Sequence, residues 1–390
     1  MPLPLYYNWR NLLRRKLSTV LTFVVVAVLV LVLSVLSSFA AGIRASLAAS
    51  GSNRNIMVLK PGATAESTSL MLQEEVARLN QTPDIARDAA GRPLISPELC
   101  VQTSLPRLGE EGASANVAVR GVDDVAFAVH RELRLIEGRR LEQGQLEIMV
   151  GKAARDRYAN LQMNGEIALG RLSNRTFKVV GVFEAAGGAL ESEIWAPRSI
   201  LSDAYGRRFI SSAVMQLSDA PDAAKAIAYI NGPAVGLDAK METAYYEELS
   251  SKTREIIVLT TVLVGIMAIG AAFAVANTMF AAVDGRRREI AMLRTIGFGK
   301  SAIVLAFLIE STLICTAACL AGLAMSLAIN GARQDFLSDT TWTVLAYELT
   351  ITPRNVAAAL ATALAVGMAG ALAPAVKASR TRVIEALRKA

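Results

Sequence analysis

Four stretches of the sequence contain no Asp, Glu, Lys or Arg: Leu17–Ile43, Ile256–Val283, Ser311–Ala332 and Asn355–Val376. They are 27, 28, 22 and 22 residues long, and a helix of about 20 apolar residues crosses the hydrocarbon core of a bilayer. A helix that is apolar on every side must be covered on every side, which a small water-soluble fold cannot do four times over. The mean hydropathy of +0.38 and the charged fraction of 19% agree with this. A purely soluble enzyme, a disordered chain and a nucleic-acid binder are set aside. The chain reads as a polytopic α-helical membrane protein.

The net charge of +7 is placed in a way that orients the spans. Arg10, Arg14, Arg15 and Lys16 precede the first run, five basic and two acidic residues fill 284–300, and five basic residues and Glu385 lie from Lys377 onward. Residues 44–255 and 333–354 are slightly acidic in total. Short basic loops are retained in the cytosol. The expected path is a cytoplasmic segment at 1–17, spans at 18–43, 256–283, 301–332 and 355–376, and cytoplasmic segments at 284–300 and 377–390. Residues 44–255 and the short loop 333–354 then lie outside. A cleaved signal peptide at the first run is the competing reading. Its core is about twice the usual length, and cleavage breaks the alternation of basic loops.

The external 212 residues read as mixed α+β. Strands are expected at Ile56–Leu59, Asn116–Val122, Leu146–Val150, Phe177–Phe183 and Ile210–Leu217, and helices at Ser67–Leu79, Lys152–Leu161 and Ala223–Ile230. Tyr245–Glu255 is expected to be a helical stalk leading into the second span. Glu191 and Glu193, alternating before Trp195, are expected to be solvated. In the spans, Ala357, Ala361, Ala365, Ala369 and Ala373 form a small-residue stripe at i, i+4 spacing, echoed by Ala268, Ala272 and Ala276 and by Ala318 and Gly322. Such stripes allow close helix approach, as packing faces within the chain or as a dimer face. Cys100, Cys315 and Cys319 support no disulfide framework.

Gly297-Phe298-Gly299-Lys300-Ser301 invites comparison with a phosphate-binding loop, but Arg294 stands where that motif needs its first glycine. Turn formation between two helices is the better reading. Asp284–Ser301 is expected to hold a short amphipathic surface helix, with Ile290, Leu293 and Ile296 as its apolar face and Arg286, Arg287, Arg288, Glu289 and Arg294 around it. Glu310 is expected at the membrane boundary, paired with Arg294 or another cytosolic arginine, since an unpaired intramembrane carboxylate costs about 3 kcal/mol. No second intramembrane carboxylate or histidine continues a proton relay from it. Neither a nucleophile–base pair nor metal-ligand spacing is evident.

The string RRREIAMLRTIGFGKSAIVLAFLIE from Arg286 resembles the signature of FtsX/MacB-type ABC transporter permeases, and PAVKASRTRVIEALR from Pro374 is similar to that family's close. VRGVDD, GRRLEQG and FKVVGVFEAAGGALESEIW resemble its MacB-like periplasmic core domain. The resemblance implies four transmembrane helices with a large extracytoplasmic α+β domain between the first and second. It also implies a non-catalytic subunit of the bacterial inner or plasma membrane, binding no cofactor itself. ATP and Mg would belong to two copies of a separate ABC ATPase, and a second permease would complete a homodimer or heterodimer. A periplasmic adaptor or outer-membrane partner is compatible, membrane lipid is expected and nucleic acid is not. Arg286, Arg287, Arg288, Glu289, Ile290, Leu293, Arg294 and Gly297 would carry ATPase coupling, with Glu310 as the structural carboxylate at the span's base. The implied work is mechanotransmission for export or extraction of a lipid, lipoprotein, peptide or small molecule. The family also contains signalling scaffolds that regulate a periplasmic partner without passing a solute.

The topology has a direct check. Single cysteines introduced between residues 60 and 240 react in intact cells with a membrane-impermeant maleimide, whereas those between 286 and 298 react only after lysis. Finding both regions in one compartment would remove the proposed path.

Overall fold

The computed structural model describes residues 16–110, 112–171, 175–219, 222–252, 254–337 and 344–380. The basic residues Arg10, Arg14 and Arg15, and the tail beyond Arg380, lie outside these. The elements in order are α1 (Lys16–Ala48), β1 (Asn55–Leu59), α2 (Gln73–Ala77), β2 (Ile95–Pro106), β3 (Ser114–Val122), α3 (Ala126–Val129), β4 (Arg134–Gly138) and β5 (Glu147–Gly151). Then follow α4 (Lys152–Arg155), β6 (Glu166–Leu169), β7 (Arg175–Glu184), β8 (Ile194–Pro197), α5 (Arg198–Tyr205), β9 (Ser212–Gln216), α6 (Ala223–Asn231) and β10 (Asp238–Met241). The chain continues with α7 (Glu242–Lys252), α8 (Arg254–Asp284), α9 (Arg287–Thr295), α10 (Lys300–Leu327), β11 (Arg333–Leu337), β12 (Val344–Glu348) and α11 (Pro353–Ser379). Thr253, between α7 and α8, is not among the described residues, so the expected continuous stalk is described only as these two helices.

Two compact units result: one built on the long helices, the other on the residues between the first and second of them together with the short segment between the third and fourth. In the helical unit, α1, α8, α10 and α11 each contain a stretch long and apolar enough to cross a membrane: Thr19–Ile43, Val258–Asp284, Lys300–Leu327 and Pro353–Ser379. Thr352 caps α11, accepting from the Asn355 backbone N–H, with Pro353 in the first turn where its missing N–H leaves no bond unmade.

Glycines set the spacing of these helices. A Cβ on Gly322 of α10 would stand 2.6 Å from the Ala27 carbonyl oxygen of α1, and one on Gly370 of α11 would stand 2.6 Å from the Ala272 carbonyl oxygen of α8. Gly367 of α11 also lies close to α10, its virtual Cβ 3.0 Å from Cys315 Sγ. Hydroxyls and one amide add cross-links. Thr22 and Thr278 join α1 to α8, Ser311 Oγ donates to the Gly367 carbonyl at 2.8 Å, and Asn355 Nδ2 donates to Ser38 Oγ at 3.3 Å.

The small-residue stripe of the fourth span is not its packing face within the chain. Ala359, Ala363, Gly367, Gly370, Ala371 and Ala375 face inward, while Ala357, Ala361, Ala365, Ala369 and Ala373 are all exposed. Glycine permits a closer approach than alanine, so the glycine-bearing face is the one drawn in.

The second unit is organised on one mixed sheet in the order β10-β1-β9-β2-β3-β8-β5-β7-β4, with β6 also pairing β7. Most neighbours are antiparallel; β3–β8 and β5–β7 are parallel. Alternation places Ile148 and Val150 of β5 in one core with Phe177, Val179 and Tyr158, and sends Met149 to another with Phe183 and Trp195. A further core joins Ile56 and Val58 of β1 to Met215 of β9 and Ile230 of α6. All five expected strands are present, with ends shifted by a residue or two. Two expected helices are shorter than their apolar pattern. Lys152–Leu161 is α-helical only through Arg155, and Asn160 sits at φ 65°, a left-handed conformation that breaks a helix. Ser67–Leu79 holds only α2 between two 3-10 turns.

The expectation that Glu191 and Glu193 are solvated fails for Glu193 most plainly. It is buried, and both of its oxygens accept from Arg120, at 2.7 Å from Nε and 2.8 Å from Nη2. Arg120, itself buried, also donates to Glu66 at 2.6 and 2.9 Å and to Glu98 at 2.6 Å. Glu191 accepts from the backbone N–H groups of Ala185 and Gly187 and so closes the glycine turn. His130 bridges Glu98, 2.8 Å from Nε2, and Glu132, 3.3 Å from Nδ1. Burial alone would raise the Glu98 carboxyl, but the charges of His130 and Arg120 hold it down at about 2. Burial raises Glu193, which shares its arginine with two other carboxylates. Burial opposes a charge on His130, but Glu98 and Glu132 outweigh it and hold the imidazolium well above its ordinary range.

The glycine contacts give a paired prediction. Gly322→Val forces side-chain atoms into α1 and should destabilise the helical unit by about 1–3 kcal/mol, the usual cost of overpacking. Gly265→Ala, at a helical position with nothing within 4 Å, should leave it unchanged. Thermal unfolding of the two variants in detergent, against the parent, separates these outcomes.

Candidate functional site

The segment between α8 and α10 is fixed at its start by an ion pair. Arg286, the residue before α9, donates from Nη1 to Glu310 Oε2 at 2.9 Å and from Nη2 to Glu310 Oε1 at 3.1 Å. Both side chains are buried, and the Phe307 ring lies 5.9 Å from the guanidinium carbon. A planar guanidinium matched to both oxygens of one carboxylate is the strongest form of such a pair. Glu310 is therefore paired, as expected, with an arginine of this segment, and that arginine is Arg286. Arg294 instead reaches the C-terminal end of α11, donating to the Ser379 carbonyl at 3.2 Å, where last-turn carbonyls lack helical partners.

The end of the segment is equally defined. The Phe298 N–H donates to the Leu293 carbonyl at 3.1 Å and the Gly297 N–H to the Arg294 carbonyl at 3.2 Å, the two crossed bonds of a Schellman cap. Gly297 sits at φ 106°, a conformation costly for any residue with a Cβ. Gly299 is the N-cap of α10. The glycine string is thus a helix–turn–helix connection.

Between these fixed ends, α9 divides its apolar residues. Ile290 and Ala291 are buried in the helical unit, Leu293 is half-buried, and Ile296 is 76% exposed with Met292 at 50%. A step of three residues falls about 60° short of a full turn. Residues spaced at three therefore drift around the helix instead of stacking on one face, and Ile296 ends on the outside. Arg287 and Arg288 are exposed beside them, with Arg287 held by Asp284 at 2.8 Å, and Glu289 is half-buried. Lys377 of α11 lies 3.9 Å from Asp284 and 5.0 Å from the Phe280 ring centre, a further tie between helices. The sequence reading named the arginines and Ile296 but missed Met292, Asp284, Lys377 and Ser379. Met292 precedes Ile296 by four residues, a spacing visible in the sequence. Among the described residues no group of three His, Cys, Asp or Glu is placed to hold a metal ion.

Two family descriptions match this chain. Residues 19–232, more than half of it, match the MacB-like periplasmic core domain, and residues 261–383 match the FtsX-like permease C-terminal region. The chain belongs to the FtsX/MacB-type ABC transporter permease family. It is a membrane protein with a MacB-like extracytoplasmic domain inserted after its first span. A curated relative, the macrolide export ATP-binding/permease protein MacB 1/2 of Paracoccus denitrificans, is 25% identical over 337 residues, covering 82% of this chain and 47% of that protein. The chain thus spans about half the length of that relative. Among solved structures, the periplasmic region of MacB from Actinobacillus actinomycetemcomitans aligns at 15% identity and TM-score 0.36, covering 54% of this chain and 94% of that one. The extracellular domain of the noncanonic ABC-type transporter YknZ from Gram-positive bacteria aligns at 15% identity and TM-score 0.31, covering 45% and 92%.

The ion pair yields a double-mutant test. Glu310→Met leaves a buried guanidinium unneutralised and Arg286→Met leaves a buried carboxylate, each expected to cost about 3–5 kcal/mol. Arg286→Met with Glu310→Met should recover most of that loss. Unfolding of the three variants in detergent gives the coupling energy, and single variants that melt like the parent would remove the structural role.

Proposed function

We propose that this chain is the permease subunit of a bacterial ABC transporter driven by a separate ATPase, and that α9 is where the ATPase docks. The observation that carries the reading is the division of α9. A helix anchored by Arg286–Glu310, Ile290 and the Gly297 cap presents Met292 and Ile296, flanked by Arg287 and Arg288, to its surroundings. An apolar pair ringed by charge on a short fixed helix is a compact docking surface; aromatic, Met and Arg side chains are enriched at such contacts. In this reading α9 and both termini are cytoplasmic, Arg294 and Glu289 contribute to coupling, and nucleotide and Mg are held by two ATPase copies.

A second permease completes the assembly, and the exposed alanine stripe of α11 is the face offered to it. Closure of the ATPases moves α9 and with it the spans it is tied to. The extracytoplasmic domain responds, and the cargo, a lipid, lipoprotein, peptide or small molecule, is exported or extracted. The macrolide named for the Paracoccus relative is not transferred to this chain.

Coupling is tested on the complex with its ATPase in nanodiscs. Glu289→Ala with Arg294→Ala, and separately Ile296→Asp, should lower permease-stimulated ATP hydrolysis about tenfold, as expected for loss of about 1.4 kcal/mol of contact, while membrane insertion persists. Unchanged stimulation in both would dismiss α9 as the docking element.

A further inference from the structure

Glu242, the first residue of α7, is fully buried and is not among the residues assigned to coupling. One of its oxygens, Oε2, accepts from the Ser52 backbone N–H at 3.0 Å and from Asn55 Nδ2 at 2.9 Å. The other, Oε1, has no hydrogen-bond partner among the described residues, and neither has Asn55 Oδ1. The orientation of the Asn55 amide is fixed, because its nitrogen faces two acceptors, Glu242 and the Val129 carbonyl at 3.4 Å. Two buried acceptor oxygens of neighbouring side chains therefore stand without a donor. A carboxylate in that setting lacks half of its solvation, whereas a carboxyl brings its own O–H.

Burial favours the carboxyl; of the charges around it, His130 opposes that form and Glu132 supports it. Asn55 stands on β1 and Ser52 on the segment before it. His130 and Glu132 face Glu242 from the segment after α3, and Tyr246 faces it from α7 itself. Through His130 the group joins Glu98 and Arg120, and Arg120 carries Glu66 and Glu193. Four buried carboxyl groups thus share two buried cations, Arg120 and His130. Tyr245, next on α7, accepts from the Glu66 N–H at 3.3 Å, so the helix carrying Glu242 also closes over the cluster. Contact between the two segments is tight at Gly51, whose virtual Cβ lies 2.8 Å from Thr243 Cα.

We propose that Glu242 is a proton-operated latch, closed as the neutral carboxyl, between the segment Ser50–Asn55 and the start of α7. In sequence these are the chain's exit from the first span and its return toward the second. Burial is the main influence on the group and lifts it, against His130 and the Ser52 N–H, to about 7. A carboxyl raised in the folded state binds its proton more tightly there than in the unfolded chain. Its stabilisation is complete below about 4.5 and is lost as pH rises through about 7. An extracytoplasmic fluid near neutrality lies on that slope.

The full-length protein in nanodiscs tests this by hydrogen–deuterium exchange from pH 5.5 to 8.5, corrected for intrinsic rates and followed in peptides covering 50–56 and 242–249. Protection should be constant at low pH and fall above about 7 by up to about tenfold per pH unit. Glu242→Gln retains a neutral side chain with an acceptor for Ser52 and leaves His130 in place. It should stay protected at all pH values, as the parent is at pH 5.5. The latch is overturned if this variant keeps the parent's pH profile, which assigns the titration to another group. It is equally overturned if the variant is unprotected throughout, which denies that the neutral form is the closed one, or if the parent shows no pH dependence.

Discussion

Inside lipid, helices gain nothing by hiding apolar side chains from one another, so contact must come from fit and from polar cross-links. The helical unit is built on that constraint. Close approaches fall at Gly322 and Gly370, each so near a neighbouring helix that a methyl group would collide, and at Gly367, where one would fit only tightly. Around them Thr22, Ser38, Ser311 and Asn355 tie helix to helix. A buried ion pair sits where α10 meets the connecting segment, and it is fully matched, as a low-dielectric setting demands.

The external unit solves a different problem. In its interior Arg120 gathers three carboxylates contributed by distant parts of the chain, and His130 extends the set. This arrangement is expensive in desolvation and tolerates loss of no partner. It also couples the strands β2 and β3 to the turns before β8 and after α3, so the sheet centre is specified by charge as well as by apolar packing.

Legibility followed the range of the interaction. The spans could be read because absence of charge over 20 residues is a local property, and the strands because alternation is local too. Glu193 was misread because alternation reports only that a residue points away from one core; its partner Arg120 is 73 positions distant. Which arginine Glu310 would take stayed open in the sequence for a related reason. Arg294 is nearer in sequence, but α9 turns it toward Ser379, and only Arg286 lies at the end of α8 facing α10. The alanine stripe was visible, yet its direction depended on Gly367 and Gly370 competing for the inner face. Of the site, the arginines and the glycine turn were evident, while Met292 needed the true helical phase.

The crossed bonds at Gly297 and the matched pair at Arg286 have a joint consequence for stiffness. A nine-residue helix pinned at both ends cannot swivel or fray to relieve an applied load. Ile296 therefore stands on a corner tied to the ends of three long helices: Arg286 holds α10, Arg294 holds α11 and the chain itself continues into α8. Slack, the usual fate of a push delivered to a loop, has been engineered out at this corner.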